Sequence, residues 1–274
     1  MPSTIERQIN RITGNAKIVS QDLIAVEEPL EIRLSFIQQR IRQEKSISIT
    51  MRTPGNDKEL AIGFLFTEGI IENRNQISSI NTAFSNSVTI RLNDDVETDI
   101  KRLERNFYTS SSCGICGKSS IDSIITTQGI PPQNAIAKYK SSLLYKLPEM
   151  LRSNQNVFEQ TGGLHACGLF DESGRLTLLR EDVGRHNALD KLIGAAFLDG
   201  DLPLENKLLV LSGRASFELI QKATMAGIPL VAAVGAPSSL AVQLAEERHI
   251  TLVGFLKKER FNIYSVPDRI ELDN

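Results

Sequence analysis

The chain predicts a mixed α/β fold, and three features carry that expectation. In the first hundred residues apolar and polar side chains alternate: Leu30, Ile32 and Leu34, then Ile47, Ile49 and Met51, then Val88, Ile90 and Leu92. A period of two marks strands with one buried face. In the second half, short apolar runs at Leu208–Leu211, Pro229–Val234 and Thr251–Phe255 alternate with stretches of helical period. Strands apolar on both faces belong in a layered sheet with helices on each side. Third, the first two of these runs end in small turns, Ser212-Gly-Arg-Ala-Ser216 and Gly235-Ala-Pro-Ser-Ser239. Strand-to-helix turns are where open α/β sheets hold ligands.

Taken in order, Asp22–Val26 reads as a short strand ahead of the first alternation. Thr53-Pro-Gly-Asn-Asp57 is a turn in which Asn56 or Asp57 caps a helix. Leu60, Ala61, Phe64 and Leu65 form its buried stripe, and Gly69 ends it. The alternation resumes at Val88 after the turn Ser85-Asn-Ser87. The charged run from Asn93 to Arg105 divides a β-rich domain with one helix (1–105) from an α/β domain (106–274), or is simply a solvated loop or helix. Beyond it, Leu176–Leu179 is a strand and Asn187–Leu198 a helix with Leu189, Leu192, Ile193 and Ala196 on its inner face. Two further helices are expected near Ser216–Ala226 and Ser238–Arg248.

Composition excludes several function classes. With 274 residues, 41% hydrophobic and 23% charged, the chain has material for one or two ordinary cores. A net charge of −2 gives no basis for broad binding to nucleic acid or to a membrane surface. Three cysteines without a disulfide-dense pattern argue for a reducing compartment. The start, Met-Pro-Ser-Thr-Ile-Glu-Arg, has no apolar run, and no stretch approaches the roughly 20 apolar residues of a membrane span. A soluble cytoplasmic protein is the expectation.

The stretch around which the chemistry is organised is Ser111-Ser-Cys113-Gly-Ile-Cys116-Gly-Lys118. Two thiols stand three apart, each followed by glycine, which leaves the sulfur unshielded. Ser119 and Ser120 look like the start of a helix, so the thiols precede a helix N-terminus with Lys118 nearby. Both features favour thiolate over thiol. Half of a zinc site, or an incidental loop, are the competing readings. In Thr161-Gly-Gly-Leu-His165-Ala-Cys167-Gly168, His165 is an acid/base group, a phosphate contact or a hydrogen-bonded structural residue. Cys167 reads as a small buried residue. In Glu181-Asp-Val-Gly-Arg185-His186-Asn-Ala-Leu-Asp190-Lys191 the charges either hold a ligand or form an internal salt-bridge and capping network. The glycine-containing turns at Ser212 and Gly235 suit a phosphorylated ligand at helix starts. Arg248, Lys257, Lys258 and Arg260 add positive charge near Phe255 and Phe261, which suits a stacked purine with its phosphates or a solvated surface.

Cys113-Gly-Ile-Cys-Gly117, Thr161–Ala166, Glu181–Lys191 and Ser212–Ser216, with Thr53-Pro-Gly and Glu68-Gly-Ile upstream, occur in an order that resembles the FdhD/NarQ family of formate dehydrogenase accessory sulfurtransferases. The resemblance runs from about Ala25 to the C-terminus. It implies a sulfur carrier that accepts sulfur from a cysteine desulfurase as a persulfide. The sulfur then passes to the molybdenum (or tungsten) bis(molybdopterin guanine dinucleotide) cofactor, bound as substrate, before its insertion into formate dehydrogenase. By the same resemblance Cys113 is the persulfide cysteine. Cys116, three residues on, is either an auxiliary carrier or a hazard that resolves the persulfide to a disulfide with loss of sulfide. Phe255, Leu256, Lys257, Lys258, Glu259 and Arg260 form the cofactor-binding stretch. It implies no permanently bound metal, and a cytidine-deaminase-like fold for the α/β domain.

The sequence leaves the oligomeric state open, with a homodimer as one option. Three rival functions are weighed. A zinc-dependent deaminase needs a His/Cys-x-Glu motif followed by Pro-Cys-x-x-Cys, whereas His165-Ala-Cys167 lacks the glutamate and the Cys pair comes earlier. A thiol–disulfide oxidoreductase places its Cys pair after a buried strand, and Tyr108-Thr-Ser-Ser-Ser112 is not one. A cofactor-binding chaperone without sulfur transfer differs only in what Cys113 does.

Overall fold

The computed structural model describes residues 2–83, 85–96 and 137–273. The expected boundary at 105/106 and the Cys113–Lys118 stretch, with the helix start that follows it, lie outside these residues. The chain opens with a ribbon of two antiparallel strands, β1 (Thr4–Thr13) and β2 (Ala16–Ala25). Of this ribbon the sequence betrays only the end of β2. Its isoleucines are largely exposed, Ile5, Ile12, Ile18 and Ile24 among them, so no buried face imprints a clear alternation.

β3 (Glu28–Gln38), β4 (Ile41–Arg52), α1 (Asp57–Thr67), β5 (Ile77–Asn81) and β6 (Ser87–Leu92) follow. The strands form one sheet in the order β4-β3-β6-β5. Leu30, Ile32, Leu34 and Phe36 are fully buried along β3, and Val88, Ile90 and Leu92 on β6, as the alternation predicts. β4 differs. Ile47 is buried, but Ile49 and Met51 are exposed. A bulge where Ile32 pairs with Ser48 and Arg33 with Ser46 leaves Ile47 as the extra residue. One inserted residue turns the following side chains to the other face.

The second half contains β7 (Tyr139–Lys140), α2 (Ser141–Leu144), α3 (Leu147–Ser153), α4 (Asn156–Thr161), β8 (His165–Phe170), β9 (Leu176–Asp182) and α5 (Arg185–Asp199). Then come β10 (Leu208–Leu211), α6 (Phe217–Met225), β11 (Leu230–Ala233), α7 (Ser239–Glu247), β12 (Thr251–Lys257), β13 (Arg260–Ser265) and β14 (Ile270–Glu271). Six strands make the main sheet, in the order β13-β12-β11-β10-β8-β9. β10, β11 and β12 run parallel, while β8 is antiparallel to β10. Alternate residues of the central strands serve two cores. Leu209, Leu211, Val231 and Ala233 join the cluster of α1, α5, α6 and the first sheet. Leu208, Val210, Leu230 and Ala232 join that of α2 and α3. Both faces are covered, which is why these strands read as unbroken apolar runs.

α1 and α5 meet through glycines. A Cβ on Gly63 would stand 1.8 Å from the Asp190 carbonyl oxygen, and one on Gly194 would stand 1.9 Å from that of Glu59. The two backbones touch, so α1 is buried at Ile62, Gly63 and Phe66 as well as on the expected stripe, where Phe64 is only half-buried. α5 is likewise buried on all sides from Asn187 to Phe197.

Candidate functional site

The sheet register gathers the predicted turns at one edge. Leu211 at the end of β10 lies opposite Cys167 near the start of β8. The Ser212 N–H donates to the Ala166 carbonyl (3.0 Å), and Ser212 Oγ accepts from the Ala166 N–H (2.9 Å). His165, opposite Asp182 on β9, therefore sits beside the Ser212 turn. From there one backbone group follows another. Gly235 N–H donates to Gly213 O (2.9 Å), Ala215 N–H to Ala236 O (3.2 Å), Ser238 N–H to Ala215 O (3.0 Å) and Phe255 N–H to Gly235 O (3.0 Å). This ladder joins the turns after β10, β11 and the middle of β12 into one rim. α6 and α7 start on it, with the Ala241 N–H of α7 capped by Ser238 Oγ (3.3 Å), and α5 starts beside it, where His186 Nε2 lies 3.3 Å from Ser216 Oγ.

At the end of the rim, Phe255 has a φ of 53° and is 37% exposed. A left-handed aromatic residue costs about 1–2 kcal/mol, and such strain is found where function needs it. The bulge between Gly254 and Lys257 accommodates it. Leu256 is fully buried in the second core, whereas Lys257, Lys258, Glu259 and Arg260 are exposed at the β12–β13 hairpin. The ring and the charges of the stretch are thus presented together, with Leu256 as its anchor.

Most of the Glu181–Lys191 cluster is an internal network. Glu181 accepts from the Val157 and Phe158 N–H groups (3.1 and 2.9 Å) at the start of α4. Asp182 is fully buried, 2.7 Å from Lys191 Nζ, and accepts from the Thr53 N–H (3.2 Å). Lys191 donates to the Thr53 carbonyl (2.8 Å), and the Val183 N–H to Thr53 Oγ1 (3.2 Å). Asn187 Nδ2 donates to Met51 O (2.8 Å). Asp190 accepts from Thr67 Oγ1 (2.8 Å) and from Lys222 Nζ (2.9 Å). Thr53-Pro-Gly and the Glu181–Lys191 stretch are therefore two halves of one buried joint. Breaking a buried pair by removing one partner costs about 3–5 kcal/mol.

Arg185 and His186 remain outside that joint, at the rim. His186 Nε2 is 2.7 Å from Glu218 Oε2 and 3.3 Å from Ser216 Oγ. Arg185 Nε and Glu218 Oε1 are buried with no hydrogen-bond partner. The half-buried His165 has its pKa lowered by burial, then by Arg185 and His186, so its imidazole is neutral at neutral pH. Glu218 has no signal in the sequence, since nothing local marks it as the partner of His186.

Cys167 is buried, as its sequence context predicts. Burial first, then Asp190 and Asp182, pushes its thiol pKa up, so the reactive thiolate is scarce even in mild alkali. Iodoacetamide is expected to spare Cys167 in the native protein and to label it after denaturation. Peptide mass mapping checks this, and native labelling would contradict the burial. Cys113 and Cys116 lie outside the described residues. Among the described residues no helix is long and apolar enough to cross a membrane.

A rim of glycine turns, helix starts and an exposed aromatic residue has the make-up of the sheet edges at which open α/β folds hold ligands. The chain belongs to the FdhD/NarQ family, whose model matches residues 25–271. It is 47% identical to the sulfur carrier protein FdhD of Streptomyces coelicolor over 279 residues, covering 98% of this chain and 96% of that one. It is 46% identical to the protein of the same name from Mycolicibacterium paratuberculosis, covering 98% of this chain and 100% of that one. The solved structure of a formate dehydrogenase accessory protein from Desulfotalea psychrophila shares the fold. Its TM-score is 0.78 at 24% identity, covering 98% of this chain and 100% of that one.

Proposed function

We propose that this chain is the sulfur carrier of formate dehydrogenase maturation. The near full-length identity of 47% to a protein named as a sulfur carrier carries the reading. In it, the Cys113 thiolate attacks the terminal sulfur of a cysteine desulfurase persulfide, the donor thiolate leaves, and Cys113 holds the sulfur. The molybdenum (or tungsten) bis-guanine-dinucleotide pterin cofactor, bound as substrate, then receives it before entering formate dehydrogenase. Cys116 can attack the Cys113 persulfide, releasing hydrosulfide and leaving a disulfide, so its reduced state matters to the yield.

The rim supports the choice of substrate. Phosphates suit the helix starts of α5, α6 and α7 and Arg185 beside them. A guanine ring suits the exposed face of Phe255, with Lys257, Lys258 and Arg260 near its phosphates. Within the six-stranded main sheet, the run β9-β8-β10-β11-β12, with β8 antiparallel to both its neighbours, supports a cytidine-deaminase-like reading of this half. A cytoplasmic location follows if the sulfur donor and the apo-dehydrogenase are met there.

Arg260→Ala is expected to weaken GDP binding by about one to two decades, the equivalent of one charge-assisted contact. Sulfur loading of Cys113 should be unchanged. Calorimetric titration of GDP checks it, and an unaltered affinity would remove the hairpin from the site.

A further inference from the structure

His165 stands on the rim, outside both the buried joint and the Phe255–Arg260 stretch. A histidine there has three possible roles: a hydrogen-bonded structural group, a phosphate contact or an acid/base group. The structure separates them. No hydrogen bond joins the His165 ring to another described residue, so it ties no two elements together. Burial, then Arg185 and His186, keeps the imidazole neutral. A neutral ring adds little to an anion site that has Arg185 and helix starts beside it. What it does carry is a free lone pair, able to accept a proton.

The surroundings favour that state. At the start of β8 the ring lines a cleft of ≈ 480 Å³ between α3, α4 and the Ser212 turn, with Leu151, Phe158 and Val234. A Cβ on Gly213 would stand 3.3 Å from His165 Nδ1 and 3.5 Å from Cε1. No other ring atom comes within 4 Å of that position, so Nε2 is the nitrogen farther from the turn. The charges around the ring come from three elements. α5 supplies Arg185 and His186, which disfavour an imidazolium, and β9 supplies Asp182, which favours one. Asp182 is already engaged by Lys191 Nζ (2.7 Å) and by the Thr53 and Gly184 N–H groups (3.2 and 2.8 Å). Arg152 of α3 lines the same cleft. Two guanidinium groups thus flank a neutral base, and they attract an anion that comes to it.

We propose that His165 is the proton acceptor of sulfur delivery, taking the S–H proton of the Cys113 persulfide on Nε2. The step moves one proton and no electrons. Cys113–S–S–H and neutral His165 give Cys113–S–S⁻ and the His165 imidazolium, with the S–S bond intact. As with thiols, the anion is the nucleophile and the metal ligand, so its formation precedes transfer of the sulfur. The inference rests on the sulfur-carrier reading, which supplies the persulfide.

The test uses the full-length protein, loaded by a cysteine desulfurase and added to an extract of cells that lack it. Formate-dependent dye reduction reads delivery. His165→Ala is expected to take up sulfur on Cys113 and to bind GDP as the unaltered protein does. It should nevertheless activate formate dehydrogenase about a hundredfold more slowly, the usual share of a positioned base. Two readouts separate a base from a structural residue. Added imidazole should restore part of the His165→Ala rate in mild alkali and none in mild acid, where imidazole is itself protonated. The unaltered protein should lose delivery as the pH falls through the His165 value, below the ordinary imidazole value of about 6.5, because a protonated ring accepts nothing. His165→Ala should lack that inflection. His165→Asn, also without a basic nitrogen, repeats the measurement if the alanine variant folds poorly. Normal delivery by these variants overturns the proposal. So does slow delivery with neither rescue nor loss of the inflection, and so does slow delivery with weakened GDP binding, which marks a ligand contact. If the unaltered protein takes up no sulfur, the sulfur-carrier reading fails, a result distinct from normal loading with delivery indifferent to His165.

Discussion

Cells whose only copy of this protein carries Cys113→Ala are expected to make formate dehydrogenase without activity, while the variant accumulates to the normal level. The sulfur must reside on a nucleophile between donor and acceptor, and alanine has none. The loss is therefore expected to be complete rather than graded, since no neighbouring group restores a missing nucleophile. Cys116→Ala should cost much less. It keeps the carrier sulfur and removes only the thiol able to resolve the persulfide. Formate-dependent dye reduction in extracts, with the carrier quantified by immunoblot, distinguishes the two. Full activity with Cys113→Ala would end the assignment of Cys113.

Gly63→Val and Gly194→Val are expected to yield little or no folded protein. At both positions a Cβ would lie under 2 Å from a carbonyl oxygen of the facing helix, at 1.8 and 1.9 Å. Backbone cannot rotate aside as a side chain can, so α1 and α5 must separate. Ordinary overpacking costs about 1–3 kcal/mol, and this contact is far tighter. Separation also pulls Thr53 from Asp182 and Lys191, and Thr67 from Asp190 and Lys222. A domain holds only about 5–15 kcal/mol in reserve. Soluble yield and the circular dichroism melt check it. A soluble Gly194→Val protein with a native melting temperature would show that the helices do not meet at this point.

What was legible in the sequence is what burial imprints with a regular period. β3, β6, β10, β11 and β12 announce themselves because one or both faces are buried along their length. α5, α6 and α7 follow from apolar spacing and small turns. The β1–β2 ribbon escaped because it buries almost nothing. The outward turn of Ile49 and Met51 escaped because a bulge breaks the period without a local signature. At the site, the rim turns were legible as glycine- and serine-containing strand ends, but their joining by backbone hydrogen bonds was not. Glu181 and Asp182 were open between ligand and network. The deciding partner of Asp182, Thr53, lies 129 residues away. Gly63 and Gly194 did leave a signal, since glycine inside a helix costs about 1 kcal/mol against alanine and so implies a packing reason.

The sulfur-carrier account turns on whether Cys113 takes up sulfur. Intact-protein and peptide mass spectrometry after incubation with a cysteine desulfurase and free cysteine reads this directly. The account predicts a gain of one sulfur atom on the peptide containing Cys113. That gain should disappear on reduction with a thiol, and it should be absent in the Cys113→Ala protein. An unmodified Cys113 peptide from a protein that still activates formate dehydrogenase would contradict it.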